Sequence, residues 1–226
     1  LARLNVCSKE SVVRQYDHEV QGGSVIKPLV GVANDGPSDG AVIRPVLESL
    51  EGVVVAHGIC PRYGDIDTYH MAAAAIDEAV RNAIAVGATL DHLAGLDNFC
   101  WCDPVASEKT PDGRYKLAQL VRANRALYDY TKILGVPCIS GKDSMKNDYI
   151  IGETKISIPP TLLFSVIGRV EDVRKTVTMD AKRAGDMVYV LGMTRPELGG
   201  SEWYAHHGKV GNSVPKVNGE SARRLY

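Results

Sequence analysis

The chain has 226 residues, 45% hydrophobic and 23% charged, with a formal net charge of -1, the mix of a globular protein able to bury one large core or two modest ones. So even a balance excludes a broad electrostatic grip on nucleic acid or an anionic membrane, though not a local cationic pocket. The five cysteines (Cys7, Cys60, Cys100, Cys102 and Cys138) are odd in number and lack paired CxxC spacing; that fits reduced thiols and a cytoplasmic setting, with Cys100 and Cys102 buried beside a strand end.

Residues 1–27 are polar and read as a connecting segment. From 28 to 170, short β-branched runs alternate with long helical patterns, which indicates an α/β or α+β domain. Residues 31–40 are rich in turn formers and read as a loop. Strands are predicted at 41–45, 53–57, 93–96, 136–140 and 162–170. A helix over 69–86 follows from the stripe Met71, Ala75, Ala79, Ala83 and Val86, with Ile76, Val80 and Ile84 alongside, and Gly87 ends it. A second helix over 115–134 would bury Leu117, Leu120, Val121, Leu127, Tyr128 and Ile133 before stopping at Gly135. Past 171, a polar turn leads into a predicted strand at 187–191, then Gly199, Gly200 and a helical pattern. Residues 171–226 are expected to open a second domain. The chain begins at Leu1 and stops at Tyr226 inside a helical pattern, so a longer polypeptide is expected.

Glu78 and Asn82 are four apart on the first helix and share one face, and a carboxylate beside an amide oxygen suits a hard divalent cation. Asp77 and Arg81 have the same spacing and read as a surface ion pair. Asp97 ends an apolar run, where ligands collect at the carboxyl ends of strands. The bend Ser140, Gly141, Lys142, Asp143, Ser144 offers close backbone approach, a point charge and a hydroxyl to a phosphate, without a Walker pattern. His57 ends another strand as a candidate phosphate contact or acid/base.

In order and spacing these segments resemble the phosphoribosylformylglycinamidine synthase family over essentially the whole chain, at 16–22, 39–45, 57–63, Glu78 with Asn82, 97–99, 141–145 and 169–173. The resemblance implies a linker over 1–27, then an aminoimidazole ribonucleotide synthetase-like N-terminal α/β domain over 28–170 from the second of two tandem repeats, then the start of its C-terminal α+β domain over 171–226. It implies an ATP- and glutamine-dependent C–N ligase of purine biosynthesis that converts formylglycinamide ribonucleotide to the amidine, with ATP and Mg2+ as cofactors. Glu78 and Asn82 would contact Mg2+; Asp97, Gly141, Lys142, Ser144 and His57 would bind ATP or substrate. Gly58 stands after the second strand, where an acidic metal ligand is expected. The first repeat and the glutaminase lie outside these residues, so the chain alone is expected to be inactive and to pair as a homodimer. Two other readings stay open: a non-catalytic nucleotide-binding module of the same enzyme, or another ATP-dependent member of the superfamily.

Overall fold

The structure is a computed structural model that describes residues 1–16 and 19–226. The resembling stretch at 16–22 includes Asp17 and His18, which lie outside the described residues.

A short helix, α1 (Glu10–Val13), precedes β1 (Ser24–Ile26), a small hairpin of β2 (Leu29–Val30) with β3 (Gly36–Pro37), and β4 (Gly40–Ile43). Next come β5 (Gly52–Ile59), α2 (Thr68–Ala85), β6 (Leu93–Cys100), α3 (Gly113–Leu134) and β7 (Cys138–Ser144). A second hairpin, β8 (Asp148–Ile151) with β9 (Thr154–Ser157), leads to the long β10 (Thr161–Val170). The main sheet has the order β1-β4-β5-β10-β6-β7. Only β6 and β7 run parallel in it, and α3 makes their crossover.

One face of the sheet is covered and the other is open. Gly52, Val54 and Ala56 of β5, and Leu162, Phe164 and Val166 of β10, are buried beneath the helices. On the opposite face Ile43, Val55, Ile59 and Ile167 are 37–47% exposed. Helix α2 begins where Asp67 accepts the Tyr69 and His70 amides. It buries Met71, Ala75, Ile76, Ala79, Val80 and Ala83, as its periodicity predicts.

Several expectations need correction. Helix α3 buries Ala123, Ala126, Tyr130 and Leu134 and packs Leu120 and Leu127 against the core as expected, whereas Leu117, Val121 and Tyr128 are 47–61% exposed. The sequence carries two apolar stripes, and the alanine stripe faces inward because small side chains let α3 approach α2 closely. Asp77 pairs with Arg81 as their spacing predicts, but its carboxylate is buried, 2% exposed, so the pair does not lie at the surface. Residues 187–191 form no strand and are 73–90% exposed, since nothing described pairs with them. The stretch 31–40 supplies the turn and second strand of a small hairpin and the first residue of β4, and the polar stretch before 28 supplies β1 to the main sheet.

The region from 171 onward has little core of its own. It contributes α4 (Glu202–His206) and α5 (Gly219–Leu225), and α5 lies on α3. Tyr130 donates to the Val217 carbonyl at 2.7 Å and Arg223 to the Ile133 carbonyl at 2.8 Å. Among the described residues no helix is long and apolar enough to cross a membrane.

Candidate functional site

The first group of site residues is built on α2 and the end of β5. Strand β4 stops opposite Ala56, so β5 runs on past its neighbour. Two α2 side chains take up its backbone there. The Ile59 amide donates to Glu78 Oε2 at 2.8 Å, and Asn82 Nδ2 donates to the His57 carbonyl at 3.0 Å. Each residue spends one atom on the strand; Glu78 Oε1 and Asn82 Oδ1 receive no hydrogen bond among the described residues. Asp39, next to Gly40 in β4, comes level with His57 at this edge; it opens the resembling segment 39–45 but, reading as a turn residue, is not singled out by the sequence as a site residue.

Gly58 is a requirement of this packing. A Cβ there would lie 2.1 Å from the Ala75 carbonyl oxygen and 2.7 Å from Glu78 Cβ. With α2 packed this closely, no side chain fits at position 58.

A cavity of about 480 Å3 opens beside this edge, lined by Asn5, Lys9, Ile59, Cys60, Arg62, Tyr63, Ser201 and Glu202 among others. Ile59 and Cys60 are both in contact with Glu78, through the amide above and a 3.7 Å contact from Cys60 Sγ. Burial, reinforced by Glu78, pushes the Cys60 thiol up to about 12, so it stays protonated and is no nucleophile. Lys9 is held by the Leu4 and Cys7 carbonyls. Glu202 is neutralised by Arg3 and Arg62. Lys9 had no motif to mark it in the sequence.

The second group lies at the far side of the sheet. Strand pairing extends β6 to Cys100 and places Gly141, Lys142 and Ser144 inside edge strand β7, so neither Asp97 nor the 140–144 bend is a loop. Asp97 pairs with Gly141, and a Cβ on that glycine would sit 2.9 Å from Asp97 Oδ1. A side chain at 141 would have to displace the Asp97 carboxylate. Burial raises the Asp97 carboxyl above its usual value, and the Asp143 charge adds to the effect.

Alternation then divides the predicted residues. Gly95 packs on the buried Phe164 ring, so Gly95 and Asp97 point to the helix side. Asn98 and Lys142, one register step on, point to the open face, where Lys142 contacts the Ser144 hydroxyl. His57 faces the same side and pairs with Ser165, which pairs in turn with Leu96. The open face therefore gathers His57, Ser165, Asn98, Lys142 and Ser144, with Asp97 behind them. Ser165 and Asn98 were not singled out in the sequence, because only the strand register puts them there. Among the described residues no three His, Cys, Asp or Glu side chains form a ready metal cluster.

No known protein-family profile matches the chain. Phosphoribosylformylglycinamidine synthase subunit PurL of Thermoplasma acidophilum is 30% identical over 226 residues, all of this chain and 28% of that protein. PurL of Alkaliphilus metalliredigens is 34% identical over the same length and share. The chain belongs to the phosphoribosylformylglycinamidine synthase family. It spans about a quarter of the length of these synthases, as an internal fragment of one would. Among solved structures, Thermotoga maritima PurL complexed with AMPPCP is similar with a TM-score of 0.56 at 27% identity, covering 78% of this chain and 26% of that one. T. maritima PurL complexed with FGAR gives 0.55 at 28%, covering 75% and 24%. The mixed α/β fold is thus that of the synthase domains.

Proposed function

We propose that this chain is the ATP-handling domain of the second repeat in an amidine-forming synthase of purine biosynthesis, over 28–170, joined by 1–27 and followed by the start of its partner domain. The parent enzyme would phosphorylate the amide oxygen of formylglycinamide ribonucleotide with ATP and displace that phosphate with ammonia drawn from glutamine. A formamide oxygen is a poor leaving group, so the protein's work is positioning and charge neutralisation. The relatives' complexes with AMPPCP and FGAR support both ligands.

The observation that carries this reading is the pair of free oxygens, Glu78 Oε1 and Asn82 Oδ1, at the β5 edge, whose next residues, Ile59 and Cys60, line a cavity together with Lys9 and Arg62. Two hard oxygen donors fit Mg2+, which commonly takes one or two protein ligands and completes its shell with water and phosphate. When bound, Mg2+ would neutralise charge on the phosphates. Glu78 and Asn82 would hold it, while Lys9 and Arg62 would orient the anionic ligand. Lys142, Ser144 and His57 would serve the second ligand on the open face, with Asp97 and Gly141 behind them on the helix side.

A second reading is favoured by the bonds Glu78 and Asn82 already make to β5: they complete the strand edge, and a nucleotide bound there would not turn over. Titrating the chain with Mg-ATP separates the readings. The metal-site reading requires that Glu78→Ala weaken binding and abolish its Mg2+ dependence. Binding without hydrolysis that is unaffected by Glu78→Ala would reject the metal assignment and favour the non-catalytic module.

The open sheet face, with Ile43, Val55, Ile59 and Ile167 exposed, would be covered by the first repeat in the parent enzyme and by a second copy in the isolated chain. Light scattering should give a dimer that Ile167→Lys dissociates; a monomer at all concentrations would count against this pairing.

A further inference from the structure

Beyond β7 the chain reverses through Met145, Lys146 and Asn147, with Lys146 at φ +59°. The reversal is pinned at its base. The Trp101 amide donates to the Ser144 carbonyl at 2.8 Å, the Asn147 amide to the Trp101 carbonyl at 2.9 Å, and Asn147 Nδ2 to the Ser144 carbonyl at 3.0 Å. The next residue, Asp148, has a side chain only 8% exposed. Its Oδ2 accepts the Asp103 amide at 2.9 Å from the loop leaving β6 and faces Lys155 Nζ of β9 at 3.4 Å. Lys155 also donates to Thr110 Oγ1 at 2.7 Å and to the Lys109 carbonyl at 3.2 Å. One carboxylate thus draws together the β6 exit, the loop before α3 and the β8–β9 hairpin.

The network reaches the candidate ligand residues only at the Ser144 carbonyl, and neither composition nor spacing marks Asp148. A buried charge pair is poor at adding net stability, but removing one partner strands the other. Its use here is geometric.

We propose that Asp148 is a positioning residue whose charge, through Lys155, fixes the reversal at 145–147 and with it the end of β7 that presents Lys142 and Ser144 on the open face. The proposal rests on the reading that this end of β7 contacts a phosphorylated ligand, but its structural half stands apart from it. Ser157 also hydrogen-bonds Asp148; asparagine at 148 could still accept from the Asp103 amide and the Ser157 hydroxyl and would lose only the attraction for Lys155, so the effect belongs to the charge.

The test uses the 226-residue chain with Asp148→Asn, Lys155→Gln and the double variant. It reads amide hydrogen exchange across the molecule and affinity for Mg-ATP by calorimetry. Asp148→Asn should speed exchange at 141–148 and leave α2 protected; where wild-type chain binds Mg-ATP, it should weaken that binding on the order of tenfold, as loosened positioning does. Lys155→Gln, cutting the same pair from its more exposed end, should loosen the same segment, and the double variant should be no looser than either single one. Unchanged exchange at 141–148 in both single variants would overturn the proposal, as would loosening spread equally over α2 and β5. If wild-type chain does not bind Mg-ATP, the ligand reading of this end of β7 fails while the exchange result still decides the role of Asp148.

Discussion

Tyr226 donates its phenolic hydrogen to Asp77 at 2.6 Å, tying the last residue of the chain to the helix that carries Glu78. Asp77 also accepts from Arg81. A carboxylate that spacing alone assigns to the surface is instead a buried acceptor shared by two donors. Consecutive residues of one helix turn thus do opposite jobs, Asp77 holding α5 and Glu78 holding the edge of β5.

Tyr226→Phe should lower stability by about 1–3 kcal/mol, because it leaves a buried carboxylate short of one donor. Urea unfolding measures this. An unchanged midpoint would mean that Arg81 alone satisfies Asp77.

Stability should fall in alkali. Burial, with a neighbouring carboxylate, pushes Tyr226 and Tyr69 from 10.0 to about 12 and Cys60 from 9.0 to about 12. Each folded-state value is raised, so each group's contribution is full below its unfolded value and is lost as pH rises through the folded one. The loss should run from about pH 9 to about 12. Tyr226→Phe with Tyr69→Phe should flatten its upper part in thermal melts; an equally steep loss in the double variant would contradict the assignment.

Gly58→Ala should be among the most damaging substitutions of a small residue in this chain. Its Cβ would meet backbone of α2 at 2.1 Å, which no rotamer relieves. Forced overpacking costs about 1–3 kcal/mol, and more when backbone must move. Chemical unfolding checks this, and a neutral effect would mean that α2 does not press on β5 as described.

Asp97→Asn should stabilise the protein at neutral pH. Burial and Asp143 raise the Asp97 carboxyl from 3.8, so the folded state holds its proton more tightly and ionisation at higher pH costs stability. The advantage of the variant should shrink as pH falls toward the acid range. Melting temperatures at acid and neutral pH decide it, and a variant less stable at neutral pH would show that Asp97 makes a compensating contact.

Much of the scaffold was legible beforehand. The alanine-rich stripe of α2 and its cap fixed a helix within a residue of where it lies, and the β-branched runs located β5 and β10. The short motifs named the family. They carried less about the site, because a motif gives residue types in order and no direction for their side chains.

By itself the sequence determined which residues share a face of each helix or strand, since periods of 3.6 and 2 are properties of the local backbone. The tertiary structure alone decided which of two stripes on α3 turns inward and that Asp77 is buried. Strand register alone put Lys142 on the open face and Asp97 behind it. Those outcomes depend on which neighbour each element meets, and on how far each strand outruns the next, which is a matter of packing and pairing between segments distant in the chain.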